Sequence, residues 1–382
     1  MEKKSIAIFN SNDEIPSNGD SLYPYKQNTD LYWLTGIRQE DTMLVLFPDH
    51  PDKKYREVLV LVRPQELKEI WDGKRLRAHE ATAISGMKTI VWVDSLDAIL
   101  QTWIHLADAI YLDSNENDRK NNLVRTNEYR FIDEMQSRYP LHQYLRAAKT
   151  MKALRAIKTK QEVVVIQKAI DITESAFRRL LQFIRPGVHE YEIEAEIYHE
   201  FLSKKATGVA YHSIIASGDN ARTLHYTSNN NQCKDGELIL MDFGVRWMTM
   251  HADISRTVPA SGKFNPMQKM LYEIVLKAQL VVQKTARRGI TINELNDCCW
   301  DSVNRDLEKT FKSAGGKMKL RYKDRPHGVS HLMGEQEHDG DPFRNYLGEP
   351  MREGWLISNE PGLYGSFRIR LDGSLYDEEI GI

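Results

Sequence analysis

The chain has 382 residues, with 52 Lys plus Arg against 54 Asp plus Glu and a formal net charge of −2. That balance gives no bulk attraction to nucleic acid or to an anionic membrane, and 41% hydrophobic with 28% charged residues excludes a disordered chain. Three cysteines (Cys233, Cys298 and Cys299) are odd in number and form no Cys-x-x-Cys, which excludes a zinc ribbon, argues against a disulfide framework and favours a reducing compartment.

At about 150 residues per domain the length predicts two or three domains, long enough to bury large cores without staples. The N-terminus leads into only a short apolar stretch, Ile6 to Phe9, too brief for a signal-peptide core. No apolar run approaches the ~18 residues of a spanning helix. The expectation is a cytoplasmic protein with no membrane or nucleic-acid partner. Strand-like runs follow at 42–47, 58–62, 89–93 and 109–112, interleaved with charged or helical stretches. Asp94-Ser95 reads as the N-cap of a helix beginning at Leu96. This alternation predicts an α/β domain over residues 1–150.

The basic run 146–160 marks the junction with a second domain, 151–382. Thr159-x-x-Glu162 is a capping box. Ile166, Ile170, Thr173, Phe177, Leu180 and Ile184 then recur at helical spacing until Pro186-Gly187. Further helices are expected over 190–205 and 266–286, and strands over 213–216, 237–243, 251–258 and 355–358. This half reads as α+β.

The chemistry concentrates there. Asp242 ends an apolar run, an expensive place for a carboxylate unless it is paired or ligated. Asp253 follows eleven residues later. A hairpin centred on Trp247-Met248 would set the two directly opposite each other on one face, where a dication converts repulsion into coordination. His327, His331 and His338 lie within twelve positions beside Glu335, Glu337 and Asp339, and Glu360 precedes a Pro-Gly turn. Two aspartates, a glutamate and imidazole without thiol suit Mn²⁺, with Co²⁺ or Zn²⁺ as less selective occupants. Two such ions sharing carboxylates hold a bridging water and lower its pKa. His225 follows a Gly-Asp-Asn turn, and Trp71 stands beside a turn in the first half.

In this order His225, Asp242-x-Gly, Asp253-Ile254-Ser255-Arg256-Thr257, His327-Gly328-Val329-Ser330-His331 and Glu360-Pro361-Gly362 resemble the pita-bread metallopeptidases. The segments 23–36 and Glu69-Ile70-Trp71-Asp72-Gly73-Lys74-Arg75 narrow the resemblance to the Xaa-Pro aminopeptidase (aminopeptidase P) family. It covers nearly the whole chain and implies an α/β N-terminal domain followed by an α+β pita-bread catalytic domain. The implied activity is removal of the N-terminal residue from peptides with proline second, through a hydroxide bridging two divalent metal ions. Asp242, Asp253, His331 and Glu360 would be ligands, and Glu360 would also help to activate the hydroxide. His225 and His338 would line the substrate and handle the scissile amide. His327 would be a pocket residue, and Trp71 would be lent to the site of a neighbouring subunit in a homodimer or homotetramer.

The family's fifth ligand is a glutamate in a Gly-Ile-Arg-Ile-Glu strand. Here Gly381-Ile382 resembles only its lead-in, so the catalytic domain is expected to be truncated at its C-terminal end. Neither Arg368-Ile369-Arg370-Leu371-Asp372 nor an exposed acidic turn at Glu378-Glu379 replaces the missing carboxylate. The alternatives to this function are an Xaa-Pro dipeptidase with the same ligands and a non-catalytic peptide-binding pita-bread protein.

Overall fold

A computed structural model describes residues 1–116, 123–322, 325–340 and 344–382. Its contacts divide the chain into two compact units, Met1–Lys152 and Ala153–Ile382.

The first unit is built on a six-stranded mixed sheet. Its order is Thr89–Trp92, Glu57–Leu61, Met43–Leu46, Ser5–Asn10, Ala109–Leu112 and Gln143–Arg146. Strand Ser5–Asn10 is buried at every position because the sheet is covered on both faces. Ile6 and Ile8 pack with Trp103 and Met135, from helices Leu96–Leu106 and Asn127–Arg138. Ala7 and Phe9 point the other way, toward Leu31 and Ala81 of helices Thr29–Thr35 and Ala78–Ser85. Helix Leu96–Leu106 starts at Leu96 with Ser95 at its N-cap position, as expected. Ser95 makes no side-chain cap bond and donates instead to Asp94, which is paired with Arg63.

The second unit holds two cores. In one, helices Lys160–Phe183 and Glu190–Ser203 pack on an antiparallel sheet of Ile214–Ser217, Leu238–Phe243 and Ile254–Pro259. Helix Lys160–Phe183 starts with the capping box of Thr159 and Glu162. In the other, helices Pro266–Thr285 and Ile292–Ser313 pack on an antiparallel sheet of Lys317–Leu320, Tyr364–Leu371 and Ser374–Gly381. Helix Ile292–Ser313 was not among the expected elements, although Thr291 and Glu294 form a capping box at its start. The last two strands form a hairpin closed by Asp372 (φ 50°) and Gly373 (φ 83°), the left-handed pair that a two-residue turn requires. Glu378 and Glu379 therefore lie in a strand and not in an exposed turn. No described helix is long and apolar enough to cross a membrane.

Candidate metal centre

Each core of the second unit contributes two of the expected ligands. In the first, strand Leu238–Phe243 pairs with Ile254–Pro259 so that Asp242 faces Ser255 and Phe243 faces Ile254. The direct opposition of Asp242 and Asp253 is thus corrected. The hairpin turns one residue later, with Trp247 opposite Met250 and Met248 taking the positive φ of 55°. Because a strand's side chains alternate with period two, Asp253 still shares Asp242's face, two residues before Ser255. Gly244 makes the close approach possible. A Cβ there would lie 1.7 Å from the Ala252 carbonyl oxygen.

The second core repeats the device. The expected strand over 355–358 is reduced to an isolated bridge between Leu332 and Ile357. Backbone bonds run from Ser358 N–H to His331 C=O and from Glu360 N–H to Val329 C=O. His331 therefore faces Ser358, with Glu360 two residues further along the same face. The Ser358 hydroxyl accepts from the His331 N–H at 3.0 Å.

The two diagonal pairs meet. His331 Nε2 lies 2.9 Å from Glu360 and 3.3 Å from Asp253, and one donor atom from each of these three residues falls within 4.8 Å of the others. Asp242 joins through Tyr211, whose hydroxyl is 2.6 Å from Asp242 and 2.7 Å from Asp253. Burial, then the charge of Asp253, push the Asp242 carboxyl up to about 7. Burial also acts to raise Asp253, but the hydrogen bond and charge of His331 outweigh it and hold that carboxyl below its ordinary value. Burial acts to lower His331, and its bonds to Asp253 and Glu360 reverse this, taking the imidazole up to about 10. Asp253 and Glu360 thus flank an imidazolium that acts as their counter-charge, and Asp242 joins them through Tyr211. Such a donor set, rich in hard oxygen with one nitrogen, fits divalent ions, which would displace that proton.

The other predicted residues are placed as follows. The His338 ring lies over His331, with centroids 3.7 Å apart, and its Nε2 is 3.4 Å from Glu337. Its Nδ1 is buried with no partner among the described residues. His327 contacts the Tyr364 hydroxyl at 3.2 Å and meets Trp300 edge-on. His225 is exposed on the loop after the 3-10 turn Gly218–Arg222 and takes part in none of the cluster's contacts. Trp71 belongs to the first unit and is 82% exposed on helix Glu66–Asp72. Glu378 accepts from Asn265 and Gln268, and Glu379 pairs with Arg222 and Ser366.

Tyr211 was missed by the sequence reading, since nothing local marks a phenol between two carboxylates. Also missed was the anchoring of the loop that carries His331 and His338. The fully buried Asp339 accepts from Arg155, Lys158 and the backbone N–H groups of Glu335 and Gly340. The basic junction run thus supplies two buried cations to this loop.

An antiparallel strand pair in one core and a bridged pair of extended segments in the other bring two diagonal pairs of expected ligands to one centre, as a metal-dependent hydrolase of the pita-bread fold requires. Residues 165–376 match the model of metallopeptidase family M24, and residues 1–111 match that of the aminopeptidase P N-terminal domain. The chain belongs to metallopeptidase family M24, and it is a metal-dependent aminopeptidase. It is 29% identical over 377 residues to the Xaa-Pro aminopeptidase of Escherichia coli K12, covering 95% of this chain and 84% of that protein. A Bacillus anthracis chain solved as a candidate aminopeptidase P superposes with a TM-score of 0.86 at 26% identity, over 99% of this chain and 91% of that one. Zinc-substituted E. coli aminopeptidase P in complex with product gives a TM-score of 0.78 at 25% identity, over the same shares of the two chains.

Proposed function

We propose that the protein releases the N-terminal residue from peptides with proline in second position. Asp242, Asp253, His331 and Glu360 hold two divalent ions, Mn²⁺ first and Co²⁺ or Zn²⁺ as substitutes. The observation that carries this reading is the convergence of Asp253, His331 and Glu360 within 4.8 Å, with Asp242 tied in through Tyr211.

Divalent ions bound there supply Lewis acidity, lowering the pKa of water and polarising the scissile carbonyl. Glu360 accepts the proton of the attacking water. An Xaa-Pro bond is a tertiary amide without an N–H, so the site must work without the donor that most peptidases grip. The departing proline nitrogen needs a proton, and His225 and His338 line the substrate to deliver it. His327, held near Tyr364, is a wall of the pocket. The three free thiols support a reducing, cytoplasmic setting. Trp71, exposed beside Leu67 and Ile70 on one short helix, supports a homo-oligomer in which a second copy covers that face.

The test is hydrolysis of an Xaa-Pro-Yaa tripeptide by the purified chain titrated with Mn²⁺, beside an Xaa-Ala-Yaa control and an Xaa-Pro dipeptide. Release that needs proline, rises with Mn²⁺ and stops with chelator is expected. Equal cleavage of the alanine control, or indifference to chelator, overturns the reading. Preference for the dipeptide would make the enzyme a dipeptidase.

A further inference from the structure

Glu190 is completely buried at the first position of helix Glu190–Ser203, yet the described residues bring no cationic side chain to its carboxylate. Neutral donors surround it instead. One oxygen accepts from the Ser217 N–H and hydroxyl, both at 2.7 Å, and from the Asn220 amide at 3.1 Å. The other accepts from the Tyr226 hydroxyl at 2.8 Å and the Asn231 N–H at 2.9 Å. One helical turn on, Glu194 accepts from Asn229, which also bonds the backbone of Ser213 and Ile215. Residues at i and i+4 share a helix face. That face therefore grips the end of strand Ile214–Ser217 at Ser217 and the segment after it at Asn220, Tyr226, Asn229 and Asn231. His225 stands inside the gripped segment, next to Tyr226, in a stretch without regular secondary structure.

We infer that Glu190 is a positioning residue for His225: its buried carboxylate, through the Tyr226 hydroxyl, fixes the loop so that the adjacent imidazole is presented to substrate. This rests on the reading of His225 as a substrate-side group. An exposed histidine on an irregular loop has no rigidity of its own, and a satisfied buried polar network supplies it. Burial and the Glu190 hydrogen bond push the Tyr226 phenol up to about 12, so it remains a donor throughout the neutral range.

The test is a double-mutant cycle on the Mn²⁺-loaded chain with an Xaa-Pro-Yaa tripeptide, joined to amide hydrogen exchange on the metal-free chain. Tyr226→Phe keeps the ring and removes one hydroxyl. It is expected to lower kcat/KM about tenfold, mainly in kcat, and to speed exchange at residues 223–231 alone. In a His225→Ala background the same change should cost less than twofold, because its effect passes through the imidazole. Glu190→Gln, which turns an amide N–H₂ toward the donors, should act in the same direction and more strongly. A Tyr226→Phe effect that is absent, or undiminished in the His225→Ala background, overturns the inference while leaving the role of His225 standing. A His225→Ala chain as active as its parent overturns that role, and the inference with it.

Discussion

Tyr211 has one hydroxyl proton and two carboxylate oxygens within 2.7 Å of it. It can donate to only one of them, so in the metal-free chain the other contact needs a protonated carboxyl, and Asp242, raised to about 7, is the group suited to carry that proton. Tyr211→Phe removes the shared hydroxyl and leaves the buried Asp242 and Asp253 side chains without their common partner. The expected loss is about 1–3 kcal/mol in the metal-free chain, by denaturant unfolding. It should shrink when divalent ions neutralise the pair, and an unchanged midpoint would remove Tyr211 from the account. Glu335 makes a pH-dependent prediction. Burial, then the neighbouring Asp339, push its carboxyl up to about 8, and among the described residues only one of its oxygens has a partner, the Thr249 hydroxyl. A carboxyl raised above its unfolded value binds protons more tightly in the folded state. Its contribution is fully present below about pH 4.5 and is lost as pH rises toward 8. Glu335→Gln cannot ionise. Its stability relative to the parent should improve by on the order of 2 kcal/mol between pH 6 and pH 9. A difference that does not vary with pH would place the proton elsewhere.

At the scale of elements, the centre depends on two strand crossings built alike. In each, a serine faces one proposed ligand and the second proposed ligand lies two residues from that serine on the same face. The first crossing tolerates no side chain at position 244. Gly244→Ala would drive a methyl into the Ala252 carbonyl and spread the chain immediately before Asp253. Overpacking of this kind costs about 1–3 kcal/mol or more. Metal affinity is expected to fall at least about tenfold, because a small displacement of one ligand pair separates it from the other. Metal titration followed by calorimetry reads this directly, and parental affinity in the variant would sink the argument. The second crossing is held by the loop around Asp339, which the Arg155 and Lys158 cations fasten from the start of the unit.

For the molecule as a whole, the four proposed ligands come from two separate cores, so a metal held by them would tie together the halves of the second unit. Ions that bind the folded chain alone stabilise it by mass action, about 2.7 kcal/mol at a hundredfold excess over Kd. For a unit of this size that is a rise in Tm on the order of 5–10 °C. Chelator should lower the melting temperature of the purified protein and Mn²⁺ should restore it. Asp253→Asn, which keeps the side chain's shape but gives up the charge facing His331, should melt no higher than the metal-free parent and fail to respond to Mn²⁺. A full Mn²⁺ response in that variant would exclude Asp253 as a ligand.

The sequence by itself determined whatever is settled within a few residues. Thr159 and Glu162 set the start of a helix, apolar runs set the strands, Asp242 and Glu360 stood out as carboxylates ending such runs, Asp253 by its spacing of eleven from Asp242, and His331 as one of three clustered histidines. The same local signal at Thr291 and Glu294 marked a helix that the reading passed over. Register was legible only in part. The spacing of eleven kept Asp242 and Asp253 on one face, but whether they stood opposite or diagonal depended on where the turn closed, and Met248 decided that by taking a left-handed φ. Tyr211, Glu190 and Asp339 carried no local mark, because each acts on partners distant in sequence: Asp339 is 184 residues from Arg155. Only the tertiary structure could bring such groups together, since packing of the two cores, and not chain spacing, fixes which buried charge finds which donor.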